Sequence, residues 1–435
     1  MIGTGIFVLT GIAAASQAGP ALILSFVAAG IACAFVAFAY AELAASIGGC
    51  GAAYGYAYAV FGELPAWMAG WNVLFCFGSA LAAVANGWSG YFNNALEAFG
   101  IPLPVALAQG PATGGLVNLP AVAIILLLML ALLAGVRQSA NFNRVVVSVK
   151  LLALVIFLAV AAFHLQPALW HPFMPYGWFT HLPDGSTVGV LAAASVVFFA
   201  YRGFQTVSFA VEEARNPQRD VPLGVLGSLT VCTVLYLAVA GALTGIAPYR
   251  TLNVSSPVAF ALLRLGYNWG SALVAAGVII GLTSTMLMIY YALTRMVFAM
   301  ARDGLLPEFF AVLQARSKTP VNAIVLGGFV MALVAGTAPL GALAQLVNAG
   351  TLAEFILVCI AVILLRRRQG MVRPFRTPGG VFLPLLGIVS CAALLVFLPA
   401  VTLVRYAIFM AAGLAVYFAY SARASARRAL GQNPL

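Results

Sequence analysis

Two stretches constrain this chain more than any other feature: Met1-Ile-Gly-Thr-Gly-Ile-Phe7 and Phe199-Ala-Tyr-Arg-Gly-Phe-Gln205. Each lies in a long apolar run, and each puts glycine where a membrane helix normally carries a good helix former. An unsatisfied amide in hydrocarbon costs several kcal/mol, so a broken helix survives there only when protein or a water-filled cavity surrounds it. Glycine-interrupted spans in corresponding positions of two halves are the strongest sequence pointer to the substrate site of a secondary transporter.

The rest of the chain fits a lipid environment. Of 435 residues, 63% are hydrophobic and 7% charged, against roughly a quarter charged in soluble domains. A net charge of +11 would point to nucleic acid in a soluble protein. Here it matches the surplus of Lys and Arg on the cytoplasmic side of a membrane, and no nucleic-acid partner is implied. The cysteines at 33, 50, 76, 232, 359 and 391 form no CxxC and no Cys/His cluster. Neither a disulfide nor a metal site is expected, and no cofactor. No basic region precedes the first apolar run, so no signal peptide is read. Because Gly3 to Gly5 should fall mid-membrane, the cytoplasmic half of the first helix is expected to lie upstream of Met1.

Hydropathy divides the chain into twelve spans: 1–17, 21–47, 66–94, 119–136, 142–164, 186–213, 221–246, 268–301, 320–336, 341–366, 381–399 and 402–421. A Tyr-rich stretch, 54–63, lies at the interface. Alternating these spans from a cytoplasmic N-terminus puts 17 of the 21 basic residues at cytoplasmic ends. Arg250, Arg264 and Arg405 fall outside, and Arg202 lies within a span. That distribution obeys the positive-inside rule and supports an even count with both termini cytoplasmic. Residues 1–164 and 186–366 each hold five spans and each open on a broken helix. An inverted repeat of five plus five follows, with 381–421 supplying two appended helices. Arg greatly outnumbers Lys and Ala is abundant, a composition that fits a bacterial inner membrane.

The motifs, taken in order, resemble the amino acid–polyamine–organocation transporters. Met1-Ile-Gly-Thr-Gly-Ile-Phe-Val-Leu-Thr-Gly11 resembles their first helix. Tyr40-Ala-Glu42, Tyr54-Gly-Tyr56 and Gly62-Glu63 look like their second-to-third helix region. Glu212-Glu-Ala-Arg-Asn-Pro-Gln-Arg-Asp220, Thr294-Arg295, Arg302-Asp-Gly-Leu-Leu-Pro307 and Arg373-Pro-Phe-Arg-Thr-Pro378 complete the series. The set is most similar to the cationic amino acid transporter subgroup and covers nearly the whole chain. The resemblance implies an all-α, leucine-transporter-like fold with discontinuous helices 1 and 6, and alternating access to an amino acid substrate.

Site expectations follow from the motifs and the resemblance together. Gly3, Thr4 and Gly5 would free backbone amides that bind a substrate carboxylate; the alternative is close packing of small residues. The resemblance assigns the carbonyls of Phe199, Ala200 and Arg202 to the substrate ammonium, with Phe199 as an aromatic lid or else an ordinary core residue. Lys150 in the fifth span would stand where sodium-coupled relatives hold an ion, completed by Ser284 and Thr285. Burial disfavours a charged amine, so an ammonium there could exchange protons; the alternative is a lysine that snorkels to the cytoplasm. Cys76 and Gln205 occupy places where the cationic subgroup carries carboxylates, and Arg202 adds a positive charge. A neutral amino acid is therefore expected, or an acidic one if Arg202 reaches the pocket; otherwise Arg202 points away and pairs with a carboxylate such as Glu354. Glu42, Glu212, Glu213 and Asp220, opposite Arg295 and Arg302, form either an inner gate or solvated loop charge.

Other classes find little support. Gly87-Trp-Ser-Gly90 matches the GxSG of intramembrane serine proteases, but a serine nucleophile needs a base within reach. His164, His171 and His181 all lie at or beyond the outer end of the fifth span, so an enzyme is not expected. A channel or a transport-dead sensor would share the fold. A channel needs a continuous polar path, and few polar residues are available to build one.

Overall fold

The computed structural model of the chain describes residues 1–47, 52–135, 140–183, 185–207, 216–314, 319–367 and 373–422. The described residues form helix after helix. Eight stretches are long and apolar enough to cross a membrane: Gly5–Ile47, Glu63–Ala98, Phe142–Ala162, Val190–Val207, Gln218–Ile246, Asn268–Arg302, Leu340–Leu365 and Ala400–Ser421. Three shorter apolar helices, Leu119–Leu133, Val321–Thr337 and Phe382–Val396, lie between them. This is an all-helical membrane architecture. Within the 43-residue first stretch the winding is interrupted at Gly19, whose φ of +61° precedes Pro20. A first helical run, Gly5–Leu9, Thr10–Ala13 and Ala14–Ala18, is thereby set off from the Leu22–Ile47 helix.

Most expected boundaries hold to within a few residues, and three differences have physical causes. Within the span expected over 186–213, the Val190–Tyr201 helix stops where Arg202 turns extended (φ −60°, ψ 130°) and Gly203 takes φ +127°, and residues 208–213 lie outside the described residues. Residues 247–267 hold an unexpected helix, Pro257–Arg264, whose proline occupies the first turn, where no amide donor is needed. Thr180–His181, in the segment 165–185 expected to be an external loop, pairs antiparallel with Thr187–Val188, at the start of the span expected over 186–213.

Close helix packing rests on glycine. A Cβ on Gly277 would come within 3.0 Å of Ala153 Cβ, and one on Gly281 within 2.6 Å of Lys150 Cε. The Asn268–Arg302 and Ala140–Ala162 helices therefore approach through small residues, as apolar spans must when lipid competes equally for their greasy faces. Gly387 likewise sits 2.8 Å from Cys359 Sγ by the same measure, seating Phe382–Val396 on Leu340–Leu365.

Candidate substrate and coupling site

The two glycine-bearing stretches meet. A Cβ on Gly5 would lie 2.5 Å from Ala200 Cα and 2.9 Å from Ala200 N, so the first helical run crosses the sixth helix backbone to backbone. The run starts at this crossing. Gly3 O accepts from Ile6 N (3.2 Å) and Phe7 N (3.3 Å), which leaves the amides of Gly3, Thr4 and Gly5 at the helix N-terminus, where no carbonyl of the same helix faces them. Thr4 is fully buried, its methyl against Gly87, and its Oγ1 has no hydrogen-bond partner. Phe7 O and Gly5 O are taken by the hydroxyls of Tyr91 (2.9 Å) and Thr10 (3.1 Å).

On the facing side, the helix that ends at Tyr201 leaves its last carbonyls beside the break. Phe199 O accepts from Arg202 N at 3.3 Å. Ala200 O accepts from the Tyr236 hydroxyl at 2.8 Å, and that hydroxyl also lies 2.9 Å from Met1 O. Tyr236 thus ties the start of the first run, the sixth helix and the Pro217–Ile246 helix together. Sequence reasoning missed it, though a lone tyrosine amid leucine and valine was the available signal. Gln205 is buried and its Oε1 accepts from Gly203 N at 2.8 Å, which caps the break. Phe199 is buried beside it.

Arg202 reaches across to the Glu63–Ala98 helix. Its Nη1 donates to Cys76 O (3.1 Å), its guanidinium stands 4.9 Å from the centroid of Phe77, and its Nε is buried with no acceptor. Glu354 accepts from the Tyr40 hydroxyl at 2.6 Å, and no ion pair joins it to Arg202. The expected Arg202–Glu354 pairing is therefore absent in this conformation. The Cys76 thiol points to the tenth helix, 3.8 Å from Val347 O and against Gly350. Asn72, one turn earlier, donates to Gly350 O at 2.9 Å and accepts from Tyr406 at 2.9 Å.

Lys150 is buried, its stem laid over Gly281. Its Nζ donates to Thr285 Oγ1 at 2.7 Å and to Ile2 O at 3.3 Å. One side chain therefore bridges the unwound start of the first run and the Asn268–Arg302 helix. Ser284, next in sequence to Thr285, is buried as well.

The structure gives Glu42 a partner that the sequence reading did not name. Glu42, fully buried, is gripped by Arg366 through Nε (2.9 Å) and Nη2 (2.5 Å), and Thr377 N donates to it at 2.8 Å. Arg295 instead lies over Tyr291, with Nε 3.0 Å from its hydroxyl. Arg295 lies one turn after Tyr291 on the same helix, while Arg366 stands at the end of Leu340–Leu365 beside Glu42. Tyr54 donates to Asp303 at 2.9 Å, linking two motifs far apart in sequence; burial and that carboxylate push its phenol well above its usual range. Glu212 and Glu213 lie outside the described residues.

Ser89 of the GxSG stretch donates to Asn118 Oδ1 at 2.6 Å, which is capping and packing. A cavity of about 560 Å³ lies beside it, lined by Asn86, Ser89, Asn93, Asn118 and Ser255 among others. The break residues do not line it. Among the described residues, no group of His, Cys, Asp and Glu could hold a metal.

Comparison with known proteins fits this geometry. Residues 1–420 match the family model described as amino acid permease. The chain is 46% identical over 431 residues to a methylthioribose transporter of Bacillus subtilis, covering 98% of this chain and 91% of that protein. It is 42% identical to the branched-chain amino acid permease BcaP of the same organism (98% and 90% covered). It is 36% identical over 370 residues to cationic amino acid transporter 4, vacuolar, of Arabidopsis thaliana (84% and 60% covered). With its glycine-broken helices crossing at Gly5 and Ala200, the chain belongs to the amino acid permease family of the amino acid–polyamine–organocation superfamily.

Proposed function

We propose that this permease is a secondary active transporter that moves a neutral amino acid by alternating access, coupled to protons through Lys150. Arg202 carries the substrate reading. It sets a fixed positive charge beside the helix break, held by Cys76 O and Phe77, and no carboxylate among the described residues pairs with it. Two like charges a few Å apart cost on the order of 4 kcal/mol at an effective dielectric near 20, which disfavours a lysine, arginine or polyamine side chain in the same space. The free amides at Gly3 to Gly5 take the substrate carboxylate, the carbonyls of Phe199 and Ala200 take its ammonium, and Phe199 closes over it. The similarity to branched-chain permeases supports an aliphatic side chain.

Lys150 supports proton coupling through its place. An ammonium bonded to both Ile2 O and Thr285 Oγ1 holds the first run against the eighth helix, and losing its proton weakens both bonds. Residues 1–164 and 186–366 act as the two inverted repeats, with 381–421 appended, in a bacterial inner membrane with cytoplasmic termini. Glu42 and Arg366 form the cytoplasmic latch.

Purified protein in proteoliposomes, given labelled leucine under an inward proton gradient, tests the reading. Gradient-stimulated, saturable uptake that leucine, isoleucine or valine inhibits and arginine does not is the expected result. Strong arginine uptake overturns the neutral-substrate assignment, and leucine binding without flux identifies a sensor. Methylthioribose is the second reading, favoured by the 46% identity to its transporter in B. subtilis, and belongs in the same competition panel.

A further inference from the structure

Lys150 is not the only ionisable group inside the membrane. Glu354, in the middle of Leu340–Leu365, is 5% exposed and receives a single hydrogen bond, from Tyr40 of Leu22–Ile47. Arg202 is anchored to Cys76, whose thiol lies 4.0 Å from Thr351 Oγ1, one turn before Glu354, yet no ion pair joins the two charges. The guanidinium is held off on the third helix by Cys76 O and the Phe77 ring, while its own Nε–H, buried, finds no acceptor.

That arrangement is informative because a guanidinium cannot give up its proton in a protein. A carboxylate and a guanidinium in low dielectric attract strongly, and an isolated buried carboxylate neutralises rather than stay charged. A buried acid beside an under-bonded guanidinium, with no contact between them, is therefore the neutral partner. The Tyr40 hydroxyl still serves, since a protonated carboxyl keeps acceptor capacity.

We propose that Glu354 is a second proton carrier of the transport cycle, protonated while Arg202 rests on the third helix and ionised when Arg202 turns to pair with it. Only an O–H bond forms or breaks. The proton comes from water on the side to which the site is open and returns to water on the other. Turning Arg202 toward the tenth helix releases Cys76 O and Phe77 and moves the fixed charge that screens the substrate, so the protonation state of Glu354 and the shape of the pocket change together. The other titratable groups around Glu354 are Tyr40 from the second helix, which bonds to it, Tyr56 against the Tyr40 ring, Cys359 further along its own helix, and Cys76 and Tyr406, which meet that helix at Thr351 and Gly350, about one turn before it. Phenols and thiols ordinarily titrate at about 8.5–10, so Glu354 is the member of the cluster whose charge changes as a transport cycle samples two aqueous pH values.

The inference rests on the proton-linked reading above, and the test separates the two. Leucine uptake is measured in proteoliposomes from pH 5 to 8, with and without a proton gradient, for wild type, Glu354→Gln and Tyr40→Phe. The amide of Glu354→Gln keeps the acceptor for Tyr40 but cannot ionise. Its gradient stimulation is expected to fall at least about fivefold, the lower end of usual site-to-site coupling, with a flattened pH profile and retained thermal stabilisation by leucine. Tyr40→Phe removes the donor that favours the ionised carboxyl, so the midpoint of the profile moves to higher pH, a shift that decides the matter if Glu354→Gln does not fold. A wild type indifferent to the gradient overturns proton linkage and this inference together. A responsive wild type beside variants with unaltered profiles overturns the inference alone.

Discussion

Gly281 lies directly beneath Lys150, so closely that a Cβ there would come within 2.6 Å of Lys150 Cε and 2.7 Å of Cγ. The lysine stem fills the space a larger residue would take, and the ammonium at its end is thereby aimed at Ile2 O and Thr285 Oγ1. Gly281→Ala should displace the ammonium without removing it. Gradient-driven uptake should fall by about tenfold, a loss of about 1.4 kcal/mol of coupling, while exchange of internal for external substrate changes far less. Lys150→Met should lower the response to the gradient further than Gly281→Ala does. A Gly281→Ala protein with wild-type uptake at every pH would show that the placement of the ammonium does not matter.

The Gly5–Ala200 contact admits less give, because two of the three atoms met are backbone. Gly5→Ala should cost about 1–3 kcal/mol through overpacking and should abolish the rise in melting temperature that substrate produces. Ala200→Gly in the same chain should restore part of both, since it removes the Cβ that lies 2.6 Å from the intruding methyl. Equal losses in the single and double variants would place the strain elsewhere.

How much of this could be read beforehand depends on the interaction. The glycine breaks were legible because a membrane leaves no solvent to satisfy a free amide, so Gly3, Gly5 and Gly203 stood out against apolar surroundings. Lys150 and Glu354 were legible for the same reason: a charge amid leucines is conspicuous. The partners of these groups were not. Glu42 pairs with Arg366, which the sequence reading did not name as its partner, and Arg202 lodges on the carbonyl of Cys76 rather than on Glu354. Both depend on which way each helix is rotated, and the helices concerned have too little polar contrast around their circumference to set that rotation. Tyr236, which joins three segments through one hydroxyl, carries no charge to give it away.

Arg202→Gln is the direct test of charge-based selection. With the positive charge gone, arginine and lysine should begin to compete with leucine, improving their inhibition by about 10–1,000-fold, the range that follows from up to about 4 kcal/mol of relieved repulsion. The leucine affinity should move much less. The measurement is competition against labelled leucine at low and high ionic strength. Unchanged exclusion of arginine would mean that the guanidinium is too far from the bound side chain to select against it.

The Glu42–Arg366 pair makes the last prediction. Glu42 is fully buried, and besides Arg366 it is held by the backbone amide of Thr377, so removing one partner leaves a charge inside the protein. Breaking such a pair costs about 3–5 kcal/mol, whereas replacing both members by apolar or neutral groups can be close to neutral. Glu42→Gln and Arg366→Met should each lower the melting temperature in detergent, and the double variant should be more stable than either single one. The transport readout then separates a strut from a latch. If the pair only braces the second helix against the tenth, the double variant transports at the wild-type rate once its stability returns. If the pair holds the cytoplasmic side shut, the stable double variant leaks substrate down its gradient without a proton gradient. Because Arg373-Pro-Phe-Arg-Thr-Pro378 supplies the Thr377 amide while Tyr40-Ala-Glu42 supplies the acid, both motifs converge on this contact, and the latch is the expected outcome.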